Sequence, residues 1–382
     1  MFGLEMISLY GIWVLVLLFV IASGQKKTET ERKKVYVHIG PSKTGTTHIQ
    51  DVMARLKDKL YGKKICWPSI GSRHGKIFSQ LADALDKNDV AIVTKFRANI
   101  NKCLKDGLTV IISSEHFHYM EHLETFYNFF KDYKLQIIAF HREFISKLYS
   151  DYTQHQKFVT VPSRFGPYLS SGLSGSFLSP DNGNNRFEIR KFEAMFGKEN
   201  MTFVDYDGAM AAGKDIAFVI LCDILGAFCD ELPSVARSKS NTRPEMVPYN
   251  ILTMIDELVG VVGCKICTIK KASLPDFVKA LAAVTDVKVD LVQLPGLWPL
   301  SEYESLSYRK EYGDRMMYSN HTATMEVAQS FSVMELDEQA FYNSKQNTKW
   351  LRSQVVKLYA DGQLCDCSPN TKSLIQALSS SA

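Results

Sequence analysis

Val35–Gln50 reads VYVHIGPSKTGTTHIQ, and the fold follows from how this stretch is parsed. A short run of β-branched and aromatic residues ends in Gly40, small and hydroxyl-bearing residues follow, and then an amphipathic run begins. The order is strand, loop, helix N-terminus, in which backbone N–H groups and the helix dipole converge on a phosphate or sulfate.

Working outward, Ile49, Val52, Met53, Leu56 and Leu60 recur at helical spacing and predict a helix of about four turns. Trp67–His74, with Pro68 and Gly71, predicts a loop; Lys76–Asp86 and Val90–Cys103 are helical in pattern. Leu108–Ser113 (LTVIIS) and Leu135–Phe140 (LQIIAF) are short apolar runs of the kind buried in parallel sheets, and Met201–Asp205 (MTFVD) is another strand. Helical patterns over Leu123–Lys131, Phe144–Gln156, Arg186–Phe196 and Asp215–Leu225 separate or follow them. Val159–Asn185, rich in Gly, Ser and Pro, predicts a long surface loop suited to substrate contacts. Strands alternating with helices predict a three-layer α/β/α fold around a central parallel sheet. Ligands of such sheets sit beyond the carboxyl ends of the strands, which is where Gly40, Ser114-Glu115 and His141-Arg142 fall. From Pro244 onward the pattern is mainly helical, so residues 35–243 are expected to form the ligand-binding α/β core and residues 244–382 a helical C-terminal part.

With 46% apolar and 23% charged residues over 382 positions, the composition is that of a folded globular chain. The formal charge of +4, with no basic stretch interleaved with aromatics, argues against a nucleic-acid partner. Met6–Ala22 is almost unbroken apolar sequence, so residues 1–24 are expected to be a signal peptide or membrane anchor and residues 25–34 a stem. The basic residues Lys26, Lys27, Arg32, Lys33 and Lys34 after that run favour a cytosolic placement of the rest. Two glycosylation triplets, at Asn200 and Asn320, and eight cysteines favour an oxidising lumen, which is the expectation adopted. Cys264, Cys267, Cys365 and Cys367 could supply four thiolates to zinc, but their separation matches no standard zinc spacing and disulfides are preferred. Cys222 and Cys229 would lie about 10 Å apart on one continuous helix. They can pair only if the helix breaks near Gly226. The remaining pairings are open.

Against the nucleotide loop GxxxxGK[ST], Gly40 and Gly45 have the right separation and Thr47 falls on the metal-binding hydroxyl. The lysine position, however, is Thr46, and the lysine has moved forward to Lys43. A lysine there would lie close to one phosphate and its leaving-group oxygen, and not out along a triphosphate. HIGPSKTGTTHIQ resembles the 5′-phosphosulfate loop of the sulfotransferases that use 3′-phosphoadenosine 5′-phosphosulfate (PAPS). A second motif of that family is an arginine after a later strand with a serine eight residues on, matched here by Arg142 and Ser150. The resemblance covers roughly Val35 to Asp207. It implies a P-loop-like sulfotransferase fold in which Gly40, Ser42, Lys43, Thr44, Gly45, Thr46 and Thr47 surround the 5′-phosphosulfate, and Arg142 and Ser150 hold the 3′-phosphate. It implies in-line transfer of a sulfuryl group to a hydroxyl or amine, by default of a glycan in the Golgi lumen, with no metal. The RKGxxGxxK motif of the family's cytosolic members is absent, and Arg237–Arg243 (RSKSNTR) is the basic stretch that could replace part of it.

Lys43 is the candidate for neutralising the leaving oxygen, and Glu115, at a neighbouring strand end, for general base. His74 is a rival base; His48, His116, His118 and His155 are weaker candidates, and Tyr152 and Gln154 are expected to line the acceptor cleft. The competing classes are a P-loop kinase or hydrolase, and a non-catalytic protein of the same fold that binds an anionic glycan.

Overall fold

The structure, a computed structural model, describes residues 34–68, 77–156, 165–171, 185–230, 253–257, 259–260, 264–266, 289–293, 298–330, 332–336, 338–362, 364–370, 372–373 and 377. The N-terminal apolar run, His74, most of the 159–185 stretch and residues 237–243 lie outside them.

The strands are β1 (Lys34–His38), β2 (Ile65–Cys66), β3 (Thr109–Ser113), β4 (Lys134–His141), β5 (Met201–Asp205), β6 (Lys265–Ile266), β7 (Val289–Gln293), β8 (Met316–Met317), β9 (Ser332–Leu336) and β10 (Leu364–Cys365). Six of them form one parallel sheet in the order β2-β3-β1-β4-β5-β8, the middle layer of a three-layer α/β/α fold. β1 is central: Val35 pairs with Val110 of β3 on one side and Leu135 of β4 on the other. Val35, Val37, Val110, Ile112, Ile137 and Phe203 are fully buried, as expected of strands covered by helices on both faces.

The helices are α1 (Thr46–Arg55), α2 (Lys57–Gly62), α3 (Ile77–Asp86), α4 (Val90–Lys105), α5 (Leu123–Phe130), α6 (Phe144–Gln156), α7 (Phe165–Ser171), α8 (Asn185–Phe196), α9 (Tyr206–Ala211), α10 (Ile216–Phe218), α11 (Trp298–Tyr312), α12 (His321–Ser330), α13 (Glu338–Asn343) and α14 (Lys345–Ala360). The single helix predicted after the loop is two, broken at Leu56, yet Val52, Leu56 and Leu60 all stay buried, so the apolar stripe survives the bend. α7 lies within the stretch predicted as a loop, held by Phe165 against Tyr149 and Tyr152. The two edge strands, β2 and β8, are additional to the strands predicted from the sequence. The C-terminal part also contains antiparallel pairs, β7 with β9 and β6 with β10, beside its helices. Around Met254, Ile255, Phe341, Leu351 and Val355 it builds a hydrophobic cluster of its own.

Among the described residues there are three disulfides: Cys66–Cys103, Cys222–Cys229 and Cys264–Cys367. The second meets the condition set by its spacing. α10 runs into a π-helical turn over Val219–Ile224, Gly226 adopts φ +67°, and the chain doubles back until the two Cα atoms are 4.8 Å apart. The third consumes Cys264 and Cys367, which removes the four-thiolate zinc alternative.

Candidate functional site

At the end of β1, Ile39 and Gly40 are still bonded to the sheet: Ile39 N–H donates to the Ile138 carbonyl, and the Gly40 carbonyl accepts from Phe140 N–H, both at 3.0 Å. Beyond Gly40 the chain turns on residues of positive φ, Gly40 (+93°), Lys43 (+67°) and Gly45 (+80°). Gly45 answers first to its backbone and second to a neighbouring side chain that would have to turn aside. Its φ is left-handed, and an added Cβ would sit 1.9 Å from Ile216 Cδ1. α1 starts immediately after it with no side chain capping the first turn and no acidic residue there. The N–H groups of that turn therefore have no intrahelical acceptor and present the positive end of the dipole. Thr44 Oγ1 donates back to the Pro41 carbonyl at 2.7 Å and closes the turn. Thr46 Oγ1 is buried with no protein partner, which fits a residue waiting for an anion oxygen.

Arg142 leaves the end of β4 two residues before α6 and reaches this loop. One guanidinium nitrogen donates to the Lys43 carbonyl, and the other to Ser146 Oγ at 2.9 Å. The face of the guanidinium lies 5.1 Å from the Tyr206 ring centroid, while Nε is buried and unpartnered. Ser150 follows Ser146 by four residues, so Ser146, which Arg142 bonds, and Ser150 lie on one face of α6. The neighbouring row carries a second connection to the loop. Tyr119 donates to Ser42 Oγ at 2.6 Å, Ser42 donates to Asp151 Oδ1 at 3.1 Å, and buried Lys147 pairs with Asp151 Oδ2 at 2.9 Å. Burial opposes the Lys147 charge, but Asp151 more than offsets it and the ammonium pKa is raised. Lys43 Nζ donates to Gln154 Oε1 at 3.2 Å, one turn further on.

Glu115 sits against the loop's first turn: its Cα would be 3.3 Å from a Cβ placed on Gly40. Its Oε2 accepts from Gln50 Nε2 at 3.2 Å, and the same amide donates to the Ser113 carbonyl at 3.0 Å. Thus β3, α1 and the loop jointly orient this carboxylate. Beneath them, fully buried His38 pairs through Nδ1 with Ser113 Oγ at 2.8 Å, and burial pushes its pKa down to about 3.

The other histidine candidates have structural surroundings. His48 bonds Asp215 at 2.9 Å, the residue that also caps α10, and His116 bonds surface Asp83 at 3.0 Å. His118 is buried, edge-on to Tyr119. Tyr152 does not line a cleft; it is buried among Tyr149, Phe165 and Tyr168. The structure thus brings together Gly40, Ser42, Lys43, Thr44, Gly45, Thr46, Thr47, Glu115 and Arg142, with Ser150 one turn along α6 from Ser146, which Arg142 bonds. His74 is outside the described residues, as is the side chain of His155.

Sequence reasoning missed Lys147, Asp151 and Asp207. Asp207 Oδ2 accepts from Glu143 N–H at 2.6 Å, while the Glu143 carboxylate caps α6 by accepting from Ile145 and Ser146 N–H. Burial raises the Asp207 pKa to about 7, against the lowering effects of the Glu143 N–H and of Arg142. The fourfold spacing Glu143, Lys147, Asp151 was a visible signal that these side chains share a face.

Fold and site define the class: an α/β/α protein whose central strand feeds an uncapped helix N-terminus, with a lysine and an arginine turned onto the same loop. No family model, no curated protein and no solved structure matches the chain.

Proposed function

We propose that this chain is a sulfotransferase that moves the sulfuryl group of PAPS to a hydroxyl or amine of an acceptor, by default a carbohydrate. The observation that carries the reading is the bond from the Arg142 guanidinium to the Lys43 carbonyl. It draws together two anion-binding elements that lie 99 residues apart, as a donor with a 5′-phosphosulfate and a separate 3′-phosphate requires. In this reading the first-turn N–H groups, Thr46 and Thr47 hold the 5′-phosphosulfate, and Arg142 with Ser150 holds the 3′-phosphate. The acceptor oxygen attacks sulfur in line as the bond from sulfur to the phosphate oxygen breaks. The Lys43 ammonium meets the charge that develops on that leaving oxygen. Glu115, held at the edge of the loop by Gln50, takes the acceptor proton.

Calorimetry with 3′-phosphoadenosine 5′-phosphate, with and without magnesium, tests the donor assignment. Magnesium-independent binding is expected; binding that needs magnesium, or a preference for ATP, would return the loop to the kinase class. Transfer of labelled sulfate to a panel of glycan and small alcohol acceptors separates an enzyme from a binding protein of the same fold. The three disulfides support an oxidising compartment, in line with a Golgi-lumenal enzyme entering through the N-terminal apolar run.

A further inference from the structure

The chain contains two Asn-x-Thr triplets, Asn200-Met201-Thr202 and Asn320-His321-Thr322, and the fold treats them in opposite ways. An N-linked oligosaccharide needs an asparagine Nδ2 that can leave the surface and, during transfer, an accessible hydroxyl two residues on.

At Asn200 the folded chain uses these groups itself. Nδ2 donates to the Phe196 carbonyl at 2.7 Å and lies 3.4 Å from Glu199 Oε1. Met201 is buried, and Thr202 lies inside β5 opposite Ile138 of β4. The Thr202 hydroxyl accepts from Gln136 Nε2 at 3.0 Å. A sugar on Nδ2 takes one of its two N–H groups, so both contacts cannot survive modification where α8 meets the start of β5.

At Asn320 the arrangement is reversed. The residue is exposed and stands at the head of α12, with Thr322 exposed beside it. Its backbone N–H donates to Asp205 Oδ2 and its Oδ1 accepts from Ala323 N–H, both at 3.0 Å. Because Oδ1 is committed to the helix, planar amide geometry turns Nδ2 to the opposite side, away from the helix. Glycosylation leaves the amide carbonyl in place, so the cap to Ala323 survives modification. Asn320 follows β8, the edge strand at three strand positions from β1. That is roughly 14 Å of lateral separation from β1 at ordinary strand spacing.

We propose that Asn320 carries an N-linked oligosaccharide and that Asn200 does not. The donor class is a polyprenyl-diphosphate-linked oligosaccharide. A bond forms between Asn320 Nδ2 and the anomeric carbon, and the bond from that carbon to the diphosphate oxygen breaks. The diphosphate leaves with the electron pair, and one Nδ2 proton passes to a carboxylate of the transferring enzyme. The inference is independent of the sulfotransferase reading: it stands on two local geometries and on three disulfides, which favour an oxidising compartment.

The test expresses the full chain in a eukaryotic secretory host and digests it with peptide N-glycosidase in heavy-oxygen water, which converts occupied asparagines to labelled aspartate. The expected result is label at Asn320, none at Asn200, and one step of gel mobility lost on digestion. Thr322→Ala should abolish that step with unchanged thermal unfolding, and Thr322→Ser should keep it. A lumenal, disulfide-bonded chain with Asn320 unmodified would overturn the proposal. So would label at Asn200, or a chain recovered reduced and unglycosylated in the cytosol.

Discussion

Two residues of the loop carry different burdens, one chemical and one conformational. On the proposed sulfotransferase reading, Lys43→Ala should abolish sulfate transfer and leave thermal unfolding close to wild type, because the side chain is half-buried and is assigned there to the leaving oxygen; a near wild-type rate in a folded variant would remove Lys43 from the mechanism. Gly45→Ala should destabilise the fold by on the order of 2 kcal/mol, from left-handed φ combined with crowding against Ile216. A shift in denaturant midpoint reports it, and on the proposed reading so does weaker binding of 3′-phosphoadenosine 5′-phosphate. Both positions were legible in the sequence, since a glycine at a strand-to-helix turn and a lysine displaced by three places are local facts. Asp151 was not, since nothing near it in the chain announces that Ser42 donates to it from 109 residues away.

At the scale of elements, the sheet is braced by charge and by covalent links that join distant segments. Arg309 of α11 pairs with fully buried Asp205 at 2.6 Å and also donates to Thr324 at 3.2 Å and to Ser319. It ties α11 and α12 to the end of β5. Removing it leaves a buried carboxylate without its cation, so Arg309→Ala should cost about 3–5 kcal/mol in urea unfolding. Asp205→Asn combined with Arg309→Met should recover part of that loss. The Cys264–Cys367 bond spans 103 residues and anchors the C-terminal cluster. Replacing both cysteines by serine should lower stability by about 2–5 kcal/mol, seen as an earlier transition of that part in proteolysis or calorimetry. Major helices and buried strands could be read from periodicity. β2 and β8, of two residues each, are too short to have any periodicity.

For the whole molecule, opposing buried groups set the pH response. Burial holds His38 down to about 3 and His141 to about 4; for His141, Asp205 works against that shift and Arg309 with it. Each is neutral in the fold, so its contribution is intact above the ordinary 6.5 and is lost as pH falls toward those values. Asp207, raised to about 7, acts in the other direction. Its contribution is full below the ordinary 3.8 and is lost as pH rises through about 7. Asp207→Asn, which keeps an acceptor for Glu143 N–H, should therefore be more stable than wild type at about pH 8 and lose that advantage toward about pH 4. Urea midpoints across that range check it; a pH-independent difference would place the effect in packing.

The sequence by itself determined the parallel α/β/α scaffold, the strand–loop–helix at its centre and the rim where polar residues gather. Those features follow from side-chain period, β-branching and glycine conformation, which act within a few residues. Only the tertiary structure decided that Arg142 lies on the Lys43 carbonyl, which cysteines pair, that Tyr152 is core and not cleft, and which Asn-x-Thr triplet faces out. Each of those depends on segments meeting after the chain has closed loops of tens of residues, and no local rule of sterics or periodicity encodes which segments meet.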